Sequence, residues 1–227
     1  MGFSNFPAAT REFLKGIGAH NDKGWFEANR GLYEAGYVQA GKDFISTLGP
    51  RLAEVSPQVK FDPRVNGSIT RVNRDIRFSK DKRPYKDHLD LWFWHGDSKS
   101  WDRPGFWFRI TAEKVMLGTG IHMFEKDQLE RFRQSVIHPR SGKALVAAVE
   151  EVKAAGDYWI GEKTRKLMPK GYEADPSRAE YLLYEGLTAG IDLPAEAAYA
   201  PGFADMCLGH FRATWPIGRW LLAEVAE

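Results

Sequence analysis

Apolar residues recur at helical spacing through the first 55 residues of the chain. The spacing predicts a helix over residues 10–17, a second helix that begins after Asp22, and a third helix over about residues 36–55. Asp22 is suited to cap the second helix, because its carboxylate can accept a hydrogen bond from a free backbone N–H in the first turn. We assign the apolar faces of these helices to the protein core.

The pattern changes from helical spacing to alternation in the middle of the chain. Residues 68–78 look extended, with Arg74 on the more apolar face, and residues 91–95, 106–111 and 114–117 predict three further strands. Ala112 and Glu113 are placed to form a tight hairpin between the last two strands. Alternation of this kind is typical of an antiparallel sheet, and short connections favour a meander in which chain neighbours pair.

Helical spacing returns over residues 126–137, 141–155 and 203–225, with a short strand predicted over residues 187–193. Ser141 is suited to cap the second of these helices, and Pro216 interrupts or kinks the third. Helices, then strands, then helices indicate the fold class α+β, with an antiparallel, meander-like sheet in the middle of the chain packed by N-terminal and C-terminal helices. We see no repeat or linker, so we expect a single domain over residues 1–227.

Composition narrows the class of protein further. The chain has 227 residues, 43% of them hydrophobic, which is enough to form a real core. No apolar run approaches the roughly 20 residues that a membrane span needs, and the first twenty residues lack the apolar region of a signal peptide. We therefore expect a cytoplasmic protein that has no membrane partner. The single cysteine, Cys207, excludes an internal disulfide and lies in an apolar helical pattern typical of a core thiol.

Positive charge is concentrated in one stretch, residues 71–88. It holds seven basic and three acidic residues, a net charge of +4, whereas the whole chain carries +2 and the remainder is therefore −2. So small an overall charge argues against a general polyanion binder, and any such role must come from this local patch. The stretch is the predicted functional surface.

The arginines of this stretch point to recognition of an anion. Guanidinium groups grip phosphate or carboxylate with paired hydrogen bonds, and several cations near one point repel each other unless an anion lies among them. Our leading hypothesis is a small phosphorylated or carboxylated ligand. Arg71, Arg77 and Lys82 would hold it, and Tyr85 would close one side. Asp75 would orient an arginine, with Arg74 as the partner of a buried carboxylate.

Three other interpretations remain open for the same stretch. An enzyme acting on a phosphorylated substrate would use Asp75 or His88 as general acid or base. An interaction module would dock an acidic partner or single-stranded nucleic acid on a flat, exposed patch. A structural network would lock Arg74 and Asp75 together, buried and far from any cavity. No feature of the sequence indicates an oligomeric state.

Other motifs give weaker signals. The six histidines show no metal-binding spacing, and we find no phosphate-binding loop or nucleophile elbow, so we predict no metal and no cofactor. Gly118-Thr119-Gly120 follows a predicted strand but lacks the third glycine of a dinucleotide loop, and a backbone turn or bulge is the alternative. Four tryptophans near the basic stretch would stack unpaired bases if exposed, although core packing is the commoner role; they are Trp92, Trp94, Trp101 and Trp107.

The basic stretch resembles the signature of an uncharacterised bacterial domain-of-unknown-function family. The matching residues are Arg71, Arg74-Asp75, Arg77-Phe78, Lys82 and Tyr85. Further landmarks that resemble the family are Asn21 with Trp25-Phe26, Gly118-Thr119-Gly120, and Pro169-Lys170-Gly171-Tyr172, so the likeness spans about residues 6–222. The resemblance implies a single domain and points again to residues 71–85, but it implies no particular reaction.

Overall fold

A computed structural model describes residues 3–97, 103–161 and 163–226 of the chain. Its α-helices are α1 Ala8–Ala19, α2 Lys23–Ala28, α3 Arg30–Tyr33, α4 Ala40–Leu52, α5 Lys126–Ile137, α6 Pro139–Ala154 and α7 Phe203–Glu224. Its strands are β1 Leu89–Phe93, β2 Gly105–Ile110, β3 Lys114–Ile121, β4 Trp159–Ile160 and β5 Leu187–Pro194. A π-helix covers Glu34–Gln39, and 3₁₀-helices cover Ala179–Leu183 and Ala195–Tyr199.

The five strands form one antiparallel sheet in the order β1-β2-β3-β5-β4, and the chain is of the α+β class that the sequence predicted. The hairpin at Ala112 and Glu113 is confirmed, because the Thr111 N–H donates to the Lys114 carbonyl at 2.9 Å. The meander is limited to β1, β2 and β3. Beyond them β5 inserts between β3 and β4, and Trp159 of β4 pairs with Gly190 of β5.

The chain divides into two compact units. The first comprises the described residues of Met1–Phe93, Trp107–Leu117 and Asp192–Leu208. Its core is aromatic: Phe6 stacks on Phe108 with ring centroids 5.8 Å apart, and Phe44 lies 5.0 Å from Phe108 and 5.8 Å from Phe203. This unit contains the basic stretch and all the candidate site residues.

The second unit comprises the described residues of Trp94–Phe106, Gly118–Ile191 and Gly209–Glu227. Its core is formed by α5, α6 and the later part of α7, with Phe132 beside Trp220 at 5.9 Å. Helix α5 has the predicted bounds. Helix α6 begins at Pro139, two residues before the predicted cap Ser141, because His138 takes the N-cap position and Pro139 fits the first turn.

The N-terminal helices follow the sequence pattern with one change of helix type. Asp22 caps α2 as predicted, its carboxylate accepting from the Trp25 N–H at 2.9 Å. The third predicted helix begins as the π-helix Glu34–Gln39 before it becomes α4. A β-carbon on Gly36 would come within 2.4 Å of the Ala9 carbonyl oxygen, so glycine allows the π-helix to pack closely on α1.

The predicted strand over residues 68–78 does not form a regular strand. Only isolated bridges occur in it, from Ile69 to Val65 and to Leu91 and from Asn73 to Tyr85. The predicted alternation places Ile69 on the more polar face and Phe78 on the more apolar face, and it is wrong at both, because Ile69 is buried and Phe78 is exposed. Pairing ends at the Arg74 N–H, which donates to the Pro84 carbonyl at 2.9 Å, because proline has no N–H with which to continue a ladder.

The Gly118-Thr119-Gly120 motif lies inside β3 rather than after a strand. A β-carbon on Gly118 would lie 2.0 Å from the Ala189 carbonyl oxygen, and Gly120 has φ +135°, a value that side chains disfavour. The glycines therefore serve the close approach of β5 to β3. This placement supports the backbone interpretation of the motif and leaves no dinucleotide loop there.

Candidate functional site

The basic stretch folds into an exposed turn that we name the basic tip, residues 74–83. Asp75 and Arg77 pair within it through two short hydrogen bonds, Nε to Oδ1 at 3.0 Å and Nη2 to Oδ2 at 2.6 Å. Arg77 remains 76% exposed. Lys82 donates to the Ile76 carbonyl at 2.9 Å, so its ammonium links two parts of the tip.

Asp81 is the second anchor of the basic tip. It accepts from Arg74 Nη1 at 2.7 Å and from Arg83 Nη2 at 2.9 Å, and Arg74 also donates to the Arg83 carbonyl at 3.1 Å. The predicted partnership of Arg74 with a buried carboxylate is therefore wrong. Its partner is Asp81, which is 39% exposed, and Asp75 orients Arg77 instead.

The two carboxylates of the basic tip are held in the ionised state. Hydrogen bonds from Arg77 lower the pKa of Asp75, and hydrogen bonds from Arg83, with a smaller contribution from Arg74, lower the pKa of Asp81. A general acid or base works best with a pKa near the operating pH. The environment of Asp75 thus disfavours the catalytic role that the sequence offered for it.

Tyr85 is buried and packs against α2. Its ring stacks on Phe26 with centroids 4.5 Å apart, and its backbone N–H and carbonyl both bond to the Asn21 side chain at 3.0 Å. The predicted role of Tyr85 in closing an anion site is wrong, because burial against α2 removes the ring from solvent. The contact joins two landmarks that lie far apart in the chain.

A second cluster of charges lies where the stretch enters β1. We name it the Asp90 cluster, and it consists of Asp90 with Lys86, His88 and Arg109. Arg109 donates from Nε to Asp90 Oδ1 at 2.5 Å and from Nη2 to Oδ2 at 3.0 Å. His88 Nε2 lies 3.3 Å and Lys86 Nζ 3.8 Å from Asp90 Oδ2. The Asp90 side chain is only 17% exposed, so the cluster is much better shielded than the basic tip.

Burial and neighbouring charges both shift the pKa values of this cluster. Burial alone would raise the pKa of Asp90, but hydrogen bonds from His88 and Arg109 outweigh it and hold the pKa below its ordinary value. Burial lowers the pKa of Lys86, and Arg109 and Arg71 lower it further against the opposing effect of Asp90. Burial is thus the main cause of the lowered pKa of Lys86, and the neighbouring arginines add to it.

A small cavity adjoins the Asp90 cluster through Asp87. The cavity has a volume of about 350 Å³ and is lined by residues of α1 and of the β2–β3 hairpin, including Lys15 and Glu113. His88 Nδ1 lies 2.9 Å from Asp87 Oδ1, so both ring nitrogens of His88 face carboxylates. Each ring nitrogen therefore already lies close to an acceptor within the chain.

Other predicted chemistry finds less support in the described residues. Trp92 and Trp94 are buried and cannot stack on bases, and Trp101 lies outside the described residues. Within residues 3–97, 103–161 and 163–226, no group of three or more His, Cys, Asp or Glu side chains is arranged to hold a metal ion. Cys207 is buried, which raises the pKa of its thiol and fits an inert core residue.

Comparison with known families assigns the chain to one of them. The model of the family described as conserved hypothetical protein (DUF2461) matches residues 9–220. The chain belongs to the DUF2461 family. None of the curated proteins compared with it matches the chain. In the described part of the chain, no helix has the combination of length and apolar character needed to span a membrane.

Three site residues were missed by the sequence reasoning: Lys86, Asp90 and Arg109. Lys86 was counted in the charge of the stretch but not singled out. A signal for Arg109 was present, since it is a lone cation on the polar face of an otherwise apolar strand. Its partner lies 19 positions earlier, and sequence pattern carries no information about that pairing.

Proposed function

We propose that the protein binds the phosphate or carboxylate group of a small ligand beside the Asp90 cluster, through Arg71, Lys86 and Arg109. The observation that carries the proposal is an excess of positive charge around one shielded carboxylate. Burial is the main cause of the lowered pKa of Lys86, and Arg71 and Arg109 lie close enough to lower it further. Asp90, 3.8 Å from Lys86 Nζ, opposes them, while Asp87 pairs with His88 and Arg83. An anion from solution would relieve this repulsion.

The donors needed for such a ligand are available at this place. Arg71 is exposed and makes no ion pair with any described residue. The Lys86 ammonium has three donors, of which one is used by Thr70 Oγ1 at 3.1 Å, and its contact with Asp90 is long. By contrast, Arg74, Arg77 and Lys82 make their contacts within the basic tip.

The same geometry favours binding over acid–base catalysis. His88 has both nitrogens directed at Asp87 and Asp90, and the pKa of Asp75 is lowered by Arg77. Neither candidate is placed to move a proton to or from a bound molecule. Recognition of an anion requires only the charge and the donors that are present.

The test is a thermal-shift screen with phosphate, sulfate, citrate, nucleoside monophosphates and sugar phosphates. A ligand at about 100 times its Kd stabilises the folded protein by about 2.7 kcal/mol. We expect this stabilisation to disappear in Lys86→Gln and Arg71→Gln. Arg77→Gln is the matched control, because it removes a cation of the same stretch and should keep the shift. The proposal fails if no anion stabilises the protein, or if Lys86→Gln keeps the full shift.

A further inference from the structure

The apex of the basic tip carries an aromatic side chain directed into solvent. Phe78 is 95% exposed, the most exposed of the large hydrophobic side chains in the described residues. Its neighbour Arg77 places its guanidinium 5.8 Å from the ring centroid. Single exposed apolar residues are common and by themselves indicate nothing, so the surroundings of Phe78 decide its meaning.

The surroundings of Phe78 are held in a defined shape. The Arg74 backbone N–H closes the turn on Pro84 at 2.9 Å, and Arg74 and Asp81 join its two sides at 2.7 Å. Lys82 ties the same turn to the Ile76 carbonyl. These contacts are all polar and do not involve the Phe78 ring, so the ring stays exposed to solvent.

Cations flank the ring on the surface of the tip. Arg77, Lys80, Lys82 and Arg83 are all exposed, and Lys80 makes no ion pair with any described residue. The Asp partners of Arg77 and Arg83 are themselves exposed, and exposed ion pairs exchange readily for other anions because water screens them. The tip thus offers one aromatic face and several phosphate-binding groups together.

We propose that the basic tip binds single-stranded nucleic acid, with Phe78 stacking on an unpaired base and the flanking cations contacting the phosphates on either side. A single strand offers free base faces and regularly spaced phosphates, and proteins bind it through aromatic platforms beside basic residues. A duplex hides its base faces. An acidic peptide would pair with the cations but leave the ring in water.

This site goes beyond the small-anion site at the Asp90 cluster and uses none of its residues. The two proposals therefore fail separately. Lys86→Gln tests the first and should leave oligonucleotide binding unchanged, whereas Phe78→Ala tests the second and should leave the anion-induced thermal shift unchanged.

The experiment measures fluorescence anisotropy of a labelled twelve-nucleotide oligothymidine, and of a duplex of the same length, at low salt. We expect the single strand to bind more tightly than the duplex. Phe78→Ala should weaken single-strand binding by about tenfold, since stacking carries much of the affinity, and Phe78→Trp should preserve it. Lys80→Gln should weaken binding and reduce the dependence of log Kd on log salt by about 0.7.

The matched control is Leu167→Ala, which removes a 79% exposed apolar side chain next to Lys166 in another loop. It should bind the oligonucleotide like wild type. Equal binding of duplex and single strand, no binding of the single strand, or an unchanged Kd in Phe78→Ala would each overturn the proposal. So would binding to vesicles of anionic phospholipid that Phe78→Ala abolishes while oligonucleotide binding stays at wild-type strength, because the ring would then serve a membrane surface.

Discussion

Arg77 in the basic tip and Arg109 in β2 each donate two hydrogen bonds to a single aspartate, but their surroundings differ. Arg77 pairs with Asp75 in open solvent, whereas Arg109 pairs with an Asp90 side chain that is only 17% exposed and also lies 3.3 Å from His88 Nε2. Water screens the first pair and competes for its donors, while shielding strengthens the second and makes it costly to break. Burial, rather than the pairing itself, decides how much each ion pair stabilises the fold.

The largest expected loss of stability comes from Tyr85, which lies just outside the basic tip. Tyr85→Ala removes a buried ring stacked on Phe26 and should lower the free energy of unfolding by about 3–4 kcal/mol in a denaturant titration. Phe78→Ala, which removes an aromatic ring of the same stretch, should leave the unfolding midpoint unchanged. A small loss in Tyr85→Ala would show that the stretch does not depend on its contact with α2.

Removing the shielded carboxylate should have the next largest effect. Asp90→Ala leaves Arg109 and Lys86 without their common anion and should cost about 2–3 kcal/mol of stability, less than a fully buried pair because Arg109 is 43% exposed. The measurement is the unfolding free energy from urea titration. Asp75→Ala is the control and should unfold like wild type. Equal losses in the two variants would abolish the distinction between the regions.

The pH dependence of stability tests whether Asp90 stabilises the fold as an ionised group. The pKa of Asp90 is lowered in the folded protein, so the unfolded chain binds the proton at higher pH than the folded one. The stabilisation is fully present above the ordinary aspartate pKa of about 3.9 and is lost as pH falls through the lower folded-state value. Unfolding midpoints measured from pH 6 down to pH 3 should therefore fall less steeply in Asp90→Asn than in wild type. Identical slopes would contradict the role assigned to Asp90.

The smallest effect is expected within the basic tip itself. A double-mutant cycle of Asp75→Asn and Arg77→Gln should show no measurable coupling in stability, because both side chains are exposed and screened. Thermal unfolding in low and high salt would measure it. Appreciable coupling that disappears at high salt would indicate that the pair is shielded more than its exposure suggests.

Local features of the fold were predictable because their causes lie within a few residues. The bounds of α5 and the cap of α2 by Asp22 follow from apolar spacing and from one side chain three positions before its donor. The extended interpretation of residues 68–78 was less successful, because a strand needs a partner along its whole length and Pro84 interrupts the partner. The insertion of β5 between β3 and β4 was likewise invisible in the sequence.

The candidate site shows the same division. The charge pattern located residues 71–88, and the family match over residues 9–220 confirms the likeness to a domain-of-unknown-function family. The sequence did not reveal that Arg74 pairs with Asp81, that the Tyr85 ring is buried against Phe26, or that Arg109 pairs with Asp90. These assignments depend on which side chains meet in space.

By itself, the sequence determined the α+β class, most of the helices, the concentration of charge and the family. Helical periodicity, capping and composition are properties of neighbouring residues, and they survive without knowledge of the fold. Only the tertiary structure decided which ions are shielded and which are exposed. An arginine has the same charge everywhere in a sequence, but its energy and its availability to a ligand depend on the dielectric and on the partners that folding brings to it.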